Sequence, residues 1–417
     1  MKINRIASVL ILAFMLAAIM LSTSACGENN SDENTLYVYN WGEYISDGSD
    51  GTLNVNQEFE KWYEKTYGKK ITVNYSTYSS NEDMYAKLSS GAVSYDVVIP
   101  SDYMIERMIK EDMLAELNFK NIPNAQYIDP KFTGEGAYYD PDGKFSVPYT
   151  YGMVGVIYNT KDVPSTEASI GSWELMWNEN YKGNILQFNN SRDAFGTAQY
   201  YLGLDVNDNN AESWQKAYEK LLEQKPIVQG YVMDEIFNKM SSGSAAVASY
   251  YAGDFLTMYG DNEDLAFYYP KEGTNIFVDA MCIPKCTRNQ ELAELYINFM
   301  LSEEIAVANA EYICYASPNT LVVENEGYLE SMAEVHPNAI DILYNQAESV
   351  PTQYYKNLSS EQLERLNSLW DDLKIESSIG TAVYVIAGVI IAVLVAAIAV
   401  GAVKKSKNKK MWEETEN

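Results

Sequence analysis

Two rhythms of hydrophobic and polar positions run along the middle of the chain. Short, β-rich apolar runs, "TLYVYN", "KITVNYST" and "YDVVIP", are separated by stretches with helical spacing. A first helix is predicted over 55–65 and a second near "NEDMYAKLSS". This alternation implies βαβ units and a parallel sheet. "YDVVIP" is almost continuously apolar, as a strand covered on both faces requires. Farther on, Ser172 caps the turn that opens "SWELMWNENYKGNI", and a strand begins at its end. "AESWQKAYEKLLEQK" predicts an amphipathic surface helix. Leu292, Leu295, Tyr296, Phe299 and Met300 recur at helical spacing and form a buried stripe. Residues that follow parallel strands lie at the C-terminal sheet edge, where α/β folds bind ligands. Trp41, Glu43, Tyr44, Ser101 and Tyr103 all fall there.

The two ends are patterned differently. Lys2, Arg5, the apolar run "ASVLILAFMLAAIML" and the small residues of "STSAC" make a secretory signal over residues 1–26. Cys26 directly after small residues fits a lipoprotein processing site and is the expected lipidation point. Thr23 departs from the aliphatic residue usual in that motif. Residues 27–35 are polar and read as a tether. Residues 377–403 carry no charged side chain, a run long enough to predict a C-terminal transmembrane helix. "KKSKNKK" follows it, so 404–417 is expected to be a cytoplasmic tail. The same rule places the middle region outside, attached to the cell membrane.

Composition narrows the function. A chain of 417 residues is too long for one compact core, and two lobes are expected. A formal charge of −28 argues against nucleic acid, whose phosphates call for Lys and Arg patches. It is compatible with cationic ligands. The 34 tyrosines suit ligand-lining walls, where one end of the side chain is apolar and the other polar. His336 is the single histidine, in the loop-like "EVHPNA". No GxSxG, Walker A or dinucleotide motif is present, so no enzyme, cofactor or metal site is expected. Beyond Cys26, an odd number of cysteines remains: Cys282, Cys286 and Cys314. One disulfide with a free thiol, or three buried thiols, are both open.

In order along the chain, "YNWGEY", "YDVVIPSDY", "VPYTYGMVGVIYN", "SWELMWNENYKGNI", "YYAGDF", "YPKEGTNIFVDAMCIP" and "YASPN" resemble the polyamine-binding proteins of ABC importers, the spermidine/putrescine type. The likeness runs from about Leu36 to about Leu373. It implies a two-lobed α/β fold of the periplasmic-binding-protein kind, type II. Lobe 1 would span 36–149 and 279–322, and lobe 2 would span 150–278 and 323–376. The chain would cross between lobes near Pro148 to Gly152 and near Phe277 to Asp279. Carried residue by residue, the resemblance supplies Trp41, Glu43 and Tyr44, then Ser101 and Tyr103. It also supplies Asp193, Tyr251, Asp254, Phe277, Asp279 and Tyr315. Asn190 stands where spermidine binders have Asp, Phe277 where they have Trp, and Gln353 is a candidate C-terminal contact. The implied partners are a polyamine, an ABC permease with its ATPase, and the membrane, with the protein a monomer.

The physics of such a ligand agrees. A methylene chain needs apolar walls, and aromatic faces also attract ammonium groups by roughly 0.5 to 2 kcal/mol each. Each desolvated ammonium needs a carboxylate. A same-fold binder for another small cation, a sugar or an amino acid stays open. An amino acid would need an arginine, and Arg192 lies beside Asp193, at a position that the resemblance makes basic in polyamine binders too.

Overall fold

The structure is a computed structural model, and it describes residues 34–345 and 349–375. The chain alternates strands and helices from the start. Strand β1 (Thr35–Trp41) is followed by helix α1 (Val55–Tyr67), strand β2 (Thr72–Tyr78), helix α2 (Asn81–Ser89), strand β3 (Val97–Val98) and helix α3 (Asp102–Lys110). Local chemistry sets these boundaries. The Asn54 side chain accepts a hydrogen bond from Gln57 N to start α1, and Gly68 ends it in the left-handed region at φ 68°. Ser80 caps α2 in the same way, accepting from Asp83 N. β1 pairs in parallel with both β2 and β3, as the βαβ pattern requires.

Strand β4 (Ser146–Asn159) runs for 14 residues, nearly all buried, and changes partners along its length. Next come β5 (Ile185–Phe188), α4 (Ser191–Tyr201), α5 (Ala211–Gln224), β6 (Val228–Val232), α6 (Glu235–Ser241), β7 (Val247–Tyr251), α7 (Ala252–Asp261) and β8 (Leu265–Tyr268). β9 (Thr274–Cys282) then returns antiparallel to the first part of β4, from Ser146↔Cys282 to Met153↔Ile276. The rest of β4 pairs with β7 and β8. The strand order is therefore β2-β1-β3-β9-β4-β7-β5-β6. β4 and β9 are the two strands shared between a βαβ unit at each end, and the result is a two-lobed α/β fold.

The described part of the chain finishes with helices α8 (Gln290–Met300), α9 (Glu303–Ile313), α10 (Thr320–Val323) and α11 (Glu326–Val335), then the short strand β10 (Thr352–Gln353) and helix α12 (Ser360–Lys374). The stripe expected on α8 is buried at Leu292, Tyr296, Phe299 and Met300, with Leu295 at its half-buried edge. Trp214, Ala217 and Leu221 of α5 form a second, smaller core with Phe195 and Ala198 of α4 and Leu366 and Leu373 of α12.

The sequence expectations need three adjustments. Among the described residues no helix is long and apolar enough to cross a membrane. The fold class is corrected accordingly to the two-lobed α/β fold without a C-terminal transmembrane helix; residues 377–403, on which that expectation fell, lie outside the described residues. The signal, Cys26, most of the tether and the tail also lie outside them. Second, His336 ends α11 rather than lying in a solvated loop; its ring is half-buried, 4.5 Å from the Tyr259 ring. Third, Cys282, Cys286 and Cys314 are all free thiols, the first and last buried and Cys286 exposed.

Candidate functional site

A cavity of about 700 Å³, counting its mouth, lies along the edges of the crossing strands. Its walls come from both ends of the sheet. Trp41 ends β1 and Tyr44 follows it, Tyr78 ends β2, and Ser101, Asp102 and Tyr103 follow β3 into α3. From the other side come Asn190, Arg192 and Asp193 at the start of α4, Met233 and Asp234 after β6, and Tyr251 and Asp254 at the β7–α7 junction. Phe277 and Asp279 project from β9, and Tyr315 follows α9.

Hydrogen bonds fix the walls. Trp41 Nε1 and Tyr78 OH both donate to the carbonyl of Ile99, at 3.1 and 2.7 Å, which sets the two rings at 4.8 Å. The Asn81 side chain donates to Ser101 Oγ at 3.0 Å and Tyr103 OH at 3.1 Å, and it accepts from Ser101 N at 3.1 Å. Tyr44 and Tyr315 meet edge to face at 4.8 Å, and Tyr251 and Phe277 at 5.4 Å.

Three buried carboxylates each accept from a tyrosine. Tyr44 OH donates to Asp279 Oδ2 at 2.7 Å, and also pairs with the Thr150 hydroxyl. Tyr251 OH donates to Asp193 Oδ2 at 2.6 Å, and Tyr315 OH to Asp254 Oδ2 at 2.9 Å. Burial disfavours the ionised form of all three. It pushes Asp193 up to about 7, against the Tyr251 hydrogen bond, with Glu82 adding and Arg192 subtracting. It pushes Asp279 up to about 6, with Ser101 and Tyr44 opposing. Asp254 is raised well above the usual carboxylate range, by burial first and then by the charges of Asp234 and Glu43 against the Tyr315 bond. Asp279 is 4% exposed, and its Oδ1 has no hydrogen-bond partner. Among the lining residues Arg192 is the one cation.

The sequence candidates therefore converge with two exceptions, Glu43 and Gln353. Trp41, Tyr44, Ser101, Tyr103, Asp193, Tyr251, Asp254, Phe277, Asp279 and Tyr315 all line the cavity. Glu43 does not. It is exposed and left-handed at φ 48°, and its charge bears on Asp234 and Asp254 from the mouth. Gln353 sits on β10 and is exposed, while Tyr355, two residues on, lines the wall.

Residues 94–340, more than half of the chain, match the family described as bacterial extracellular solute-binding protein. The chain belongs to that family. Such proteins bind solutes for ABC transporters, and this solute-binding protein is not an enzyme. It is 31% identical over 359 residues to the spermidine/putrescine-binding periplasmic protein of Escherichia coli, covering 83% of this chain and 97% of the relative. It is 27% identical to the putrescine-binding periplasmic protein PotF of Escherichia coli, over 74% of this chain and 84% of that one. Among solved structures, the spermidine/putrescine ABC transporter substrate-binding protein PotD of Streptococcus pneumoniae superposes with a TM-score of 0.62. It shares 30% identity, with 82% of this solute-binding protein and 98% of that chain covered.

Several lining residues escaped the sequence reading. Asp234, Phe237 and Tyr355 lie in none of the quoted motifs, while Asn275 and Tyr250 lie within two of them without having been singled out. One signal was available for Asp234: it follows β6, and the strand-edge rule that found Trp41 and Ser101 applies there as well. Asp102 is a different case. Its carboxylate accepts from Tyr103 N at 2.7 Å and Val278 N at 3.2 Å, so it clamps α3 to β9.

Proposed function

We propose that this protein binds a polyamine, a diamine such as putrescine above all, between its two lobes and delivers it to an ABC permease and its ATPase. The observation that carries the reading is the arrangement of Asp193, Asp254 and Asp279: three buried carboxylates, each with a tyrosine hydroxyl, separated by aromatic walls. Carboxylates are held this way when a cation is to complete them, because an ammonium group removed from water needs charge and acceptors together. The unpartnered Asp279 Oδ1 is such an acceptor. In this reading Asp254, with Asp234 and Glu43 at the mouth, receives one ammonium. Asp279 and Asp193 receive the other. Trp41, Tyr44, Tyr251, Phe277 and Tyr315 flank the methylenes, and Ser101 and Tyr103 close the wall. The relatives named for spermidine and putrescine support the same ligand class.

The proposed lobes are 36–149 with 279–322, and 150–278 with 323–376, joined through β4 and β9. The proposed location is outside the cytoplasmic membrane after removal of the signal, with lipid on Cys26. Calorimetric titration with putrescine, cadaverine, spermidine and spermine tests the ligand class. Saturable binding of at least one, with putrescine no more than tenfold weaker than spermidine, is the expected result. Absence of heat for all four would remove the reading.

A further inference from the structure

Among the described residues that line the cavity, two acceptor atoms are buried without a hydrogen-bond partner: Asp279 Oδ1 and Asn275 Oδ1. The first belongs to a carboxylate that suits a cation. The second belongs to a neutral amide, and Asn275 is 3% exposed. Both sit on β9. Asn275, Phe277 and Asp279 alternate with Ile276 and Val278 along the strand, and only the first three line the cavity. They form a row on one face: amide, ring, carboxylate. Four residues of strand separate the Cα atoms of Asn275 and Asp279 by roughly 13 Å. The Asn275 end of the row lies toward α4, which packs against β9. β10 runs parallel to the start of β9 with Gln353 opposite Asn275, and two residues on Tyr355 meets the Arg192 guanidinium at 4.4 Å. Asn190 lines this end too, but its side-chain oxygen is taken as the cap of α4, accepting from Arg192 N and Asp193 N. The charges of Glu82 and Asp193 both offset that of Arg192, so this end of the cavity can receive a cation.

We propose that Asn275 is a specificity-determining residue: its side-chain oxygen accepts a hydrogen bond from the end nitrogen of a triamine, which lies between Asp193 and Asn275. The proposal rests on the polyamine reading above. A diamine is held at Asp254 and at Asp279 with Asp193. In a triamine the middle nitrogen stays at Asp279. The remaining arm runs along β9, its methylenes over the Phe277 ring, until its end reaches Asn275. A terminal ammonium carries three N–H donors, and away from water each needs an acceptor. Asp193 supplies the charge but already accepts from Tyr251. The amide oxygen adds an acceptor without a second buried carboxylate. A buried oxygen without a partner is unfavourable in the empty site, and the ligand N–H relieves it. A triamine gains this contact, and a diamine that ends at Asp279 does not.

The test is calorimetric titration of the full-length protein with putrescine, spermidine and N-butylputrescine. The last is spermidine with a methyl group in place of the ammonium on its aminopropyl arm. The wild type is expected to bind spermidine at least tenfold more tightly than N-butylputrescine. Asn275→Leu is close in size and removes the acceptor. It is expected to weaken spermidine at least tenfold, while putrescine and N-butylputrescine change less than threefold. Asn275→Asp keeps an oxygen at that place and is expected to bind spermidine at least as tightly as wild type. The proposal is overturned if Asn275→Leu leaves the spermidine-to-N-butylputrescine ratio unchanged. Equal weakening of all three ligands also overturns it, since Asn275 would then only support the wall. Asn275→Ala carries the same expectations and replaces the leucine variant if that one does not fold. Wild-type protein that binds N-butylputrescine as tightly as spermidine overturns the proposal without any variant. If the wild type binds neither putrescine nor spermidine, the polyamine reading itself falls, and this proposal with it.

Discussion

Asp279 illustrates the tension at the scale of single residues. Its carboxylate is buried, one oxygen is held by Tyr44, and the other is unpaired. At about 1.4 kcal/mol per pH unit, keeping it ionised in the empty site costs about 3 kcal/mol. Asp279→Asn removes that cost but leaves a bound ammonium without its charge. The two effects have opposite signs. The variant should melt higher than wild type without ligand at pH 8, and bind putrescine weaker by about 2–5 kcal/mol. Parallel melting and calorimetry check both, and normal affinity in a folded variant would misplace the pocket. The same shifts give a pH dependence. Asp193 at about 7 and Asp279 at about 6 stand above the unfolded carboxylate value of about 4, so between those limits the native state holds more protons. Stability of the empty protein from these groups is present below about pH 4 and declines as pH rises through 6 and 7. Binding a dication pulls both values down and releases protons. Affinity for putrescine should therefore rise from pH 5 to pH 8, and the heat of binding at pH 6.5 should differ between phosphate and Tris by the protons released. Identical heats in the two buffers would contradict the coupling.

At the scale of elements, the site depends on how closely ring and backbone approach. Gly253 lies in the first turn of α7, and a Cβ there would stand 2.4–2.7 Å from atoms of the Tyr315 ring. Tyr315 is thereby laid flat enough on the helix to reach Asp254. Gly253→Ala should push the ring away, cost about 1–3 kcal/mol of stability by overpacking, and weaken putrescine about tenfold. Thermal melting and titration of that variant check it; unchanged values for both would show that the ring has room to shift. This scale also shows what the sequence could convey. The first βαβ unit was legible because its strands are apolar and its helices carry caps such as Asn54 and Ser80. The edge residues Trp41, Tyr44, Ser101 and Tyr103 followed directly. The second half was harder to read. β6, "VQGYV", contains a glycine and is mostly half-exposed, and β10 has only two residues. Neither offers a period, so Asp234 and Tyr355 behind them stayed hidden. For Asp193, Asp254 and Asp279, single-residue context resembles a helix cap or a surface acid. It was the ordered resemblance that gathered them, and the pairing of each with a tyrosine came only with the fold.

At the scale of the whole molecule, the proposed function makes these local contacts a device that would respond to ligand. The cavity walls belong to both ends of the sheet, and β4 and β9 are the strands that connect them. A ligand that touches both walls favours the closed arrangement by its differential affinity. Like charges on facing walls oppose closure until a cation arrives: Glu43 follows β1, while Asp234 and Asp254 lie across the cleft, and burial raises both aspartates, with Glu43 and Glu235 adding at Asp234 and Asp234 and Glu43 adding at Asp254. At Gly42 the two sides come close. A Cβ at that position would lie 2.1 Å from Asp234 Oδ2, so any side chain there must displace the Asp234 carboxylate, and a long one presses on the loop after β6. Its backbone is not in the left-handed region, so a larger residue is resisted by the facing wall rather than by its own φ. Gly42→Leu should accordingly leave each lobe folded and prop the cleft open. Small-angle scattering of the wild type should show a smaller radius of gyration at saturating putrescine than without it. Gly42→Leu should keep the larger radius at the same ligand concentration and bind at least tenfold more weakly, with a melting temperature close to wild type. Full compaction of the Gly42→Leu variant would show that the lobes do not close at this contact.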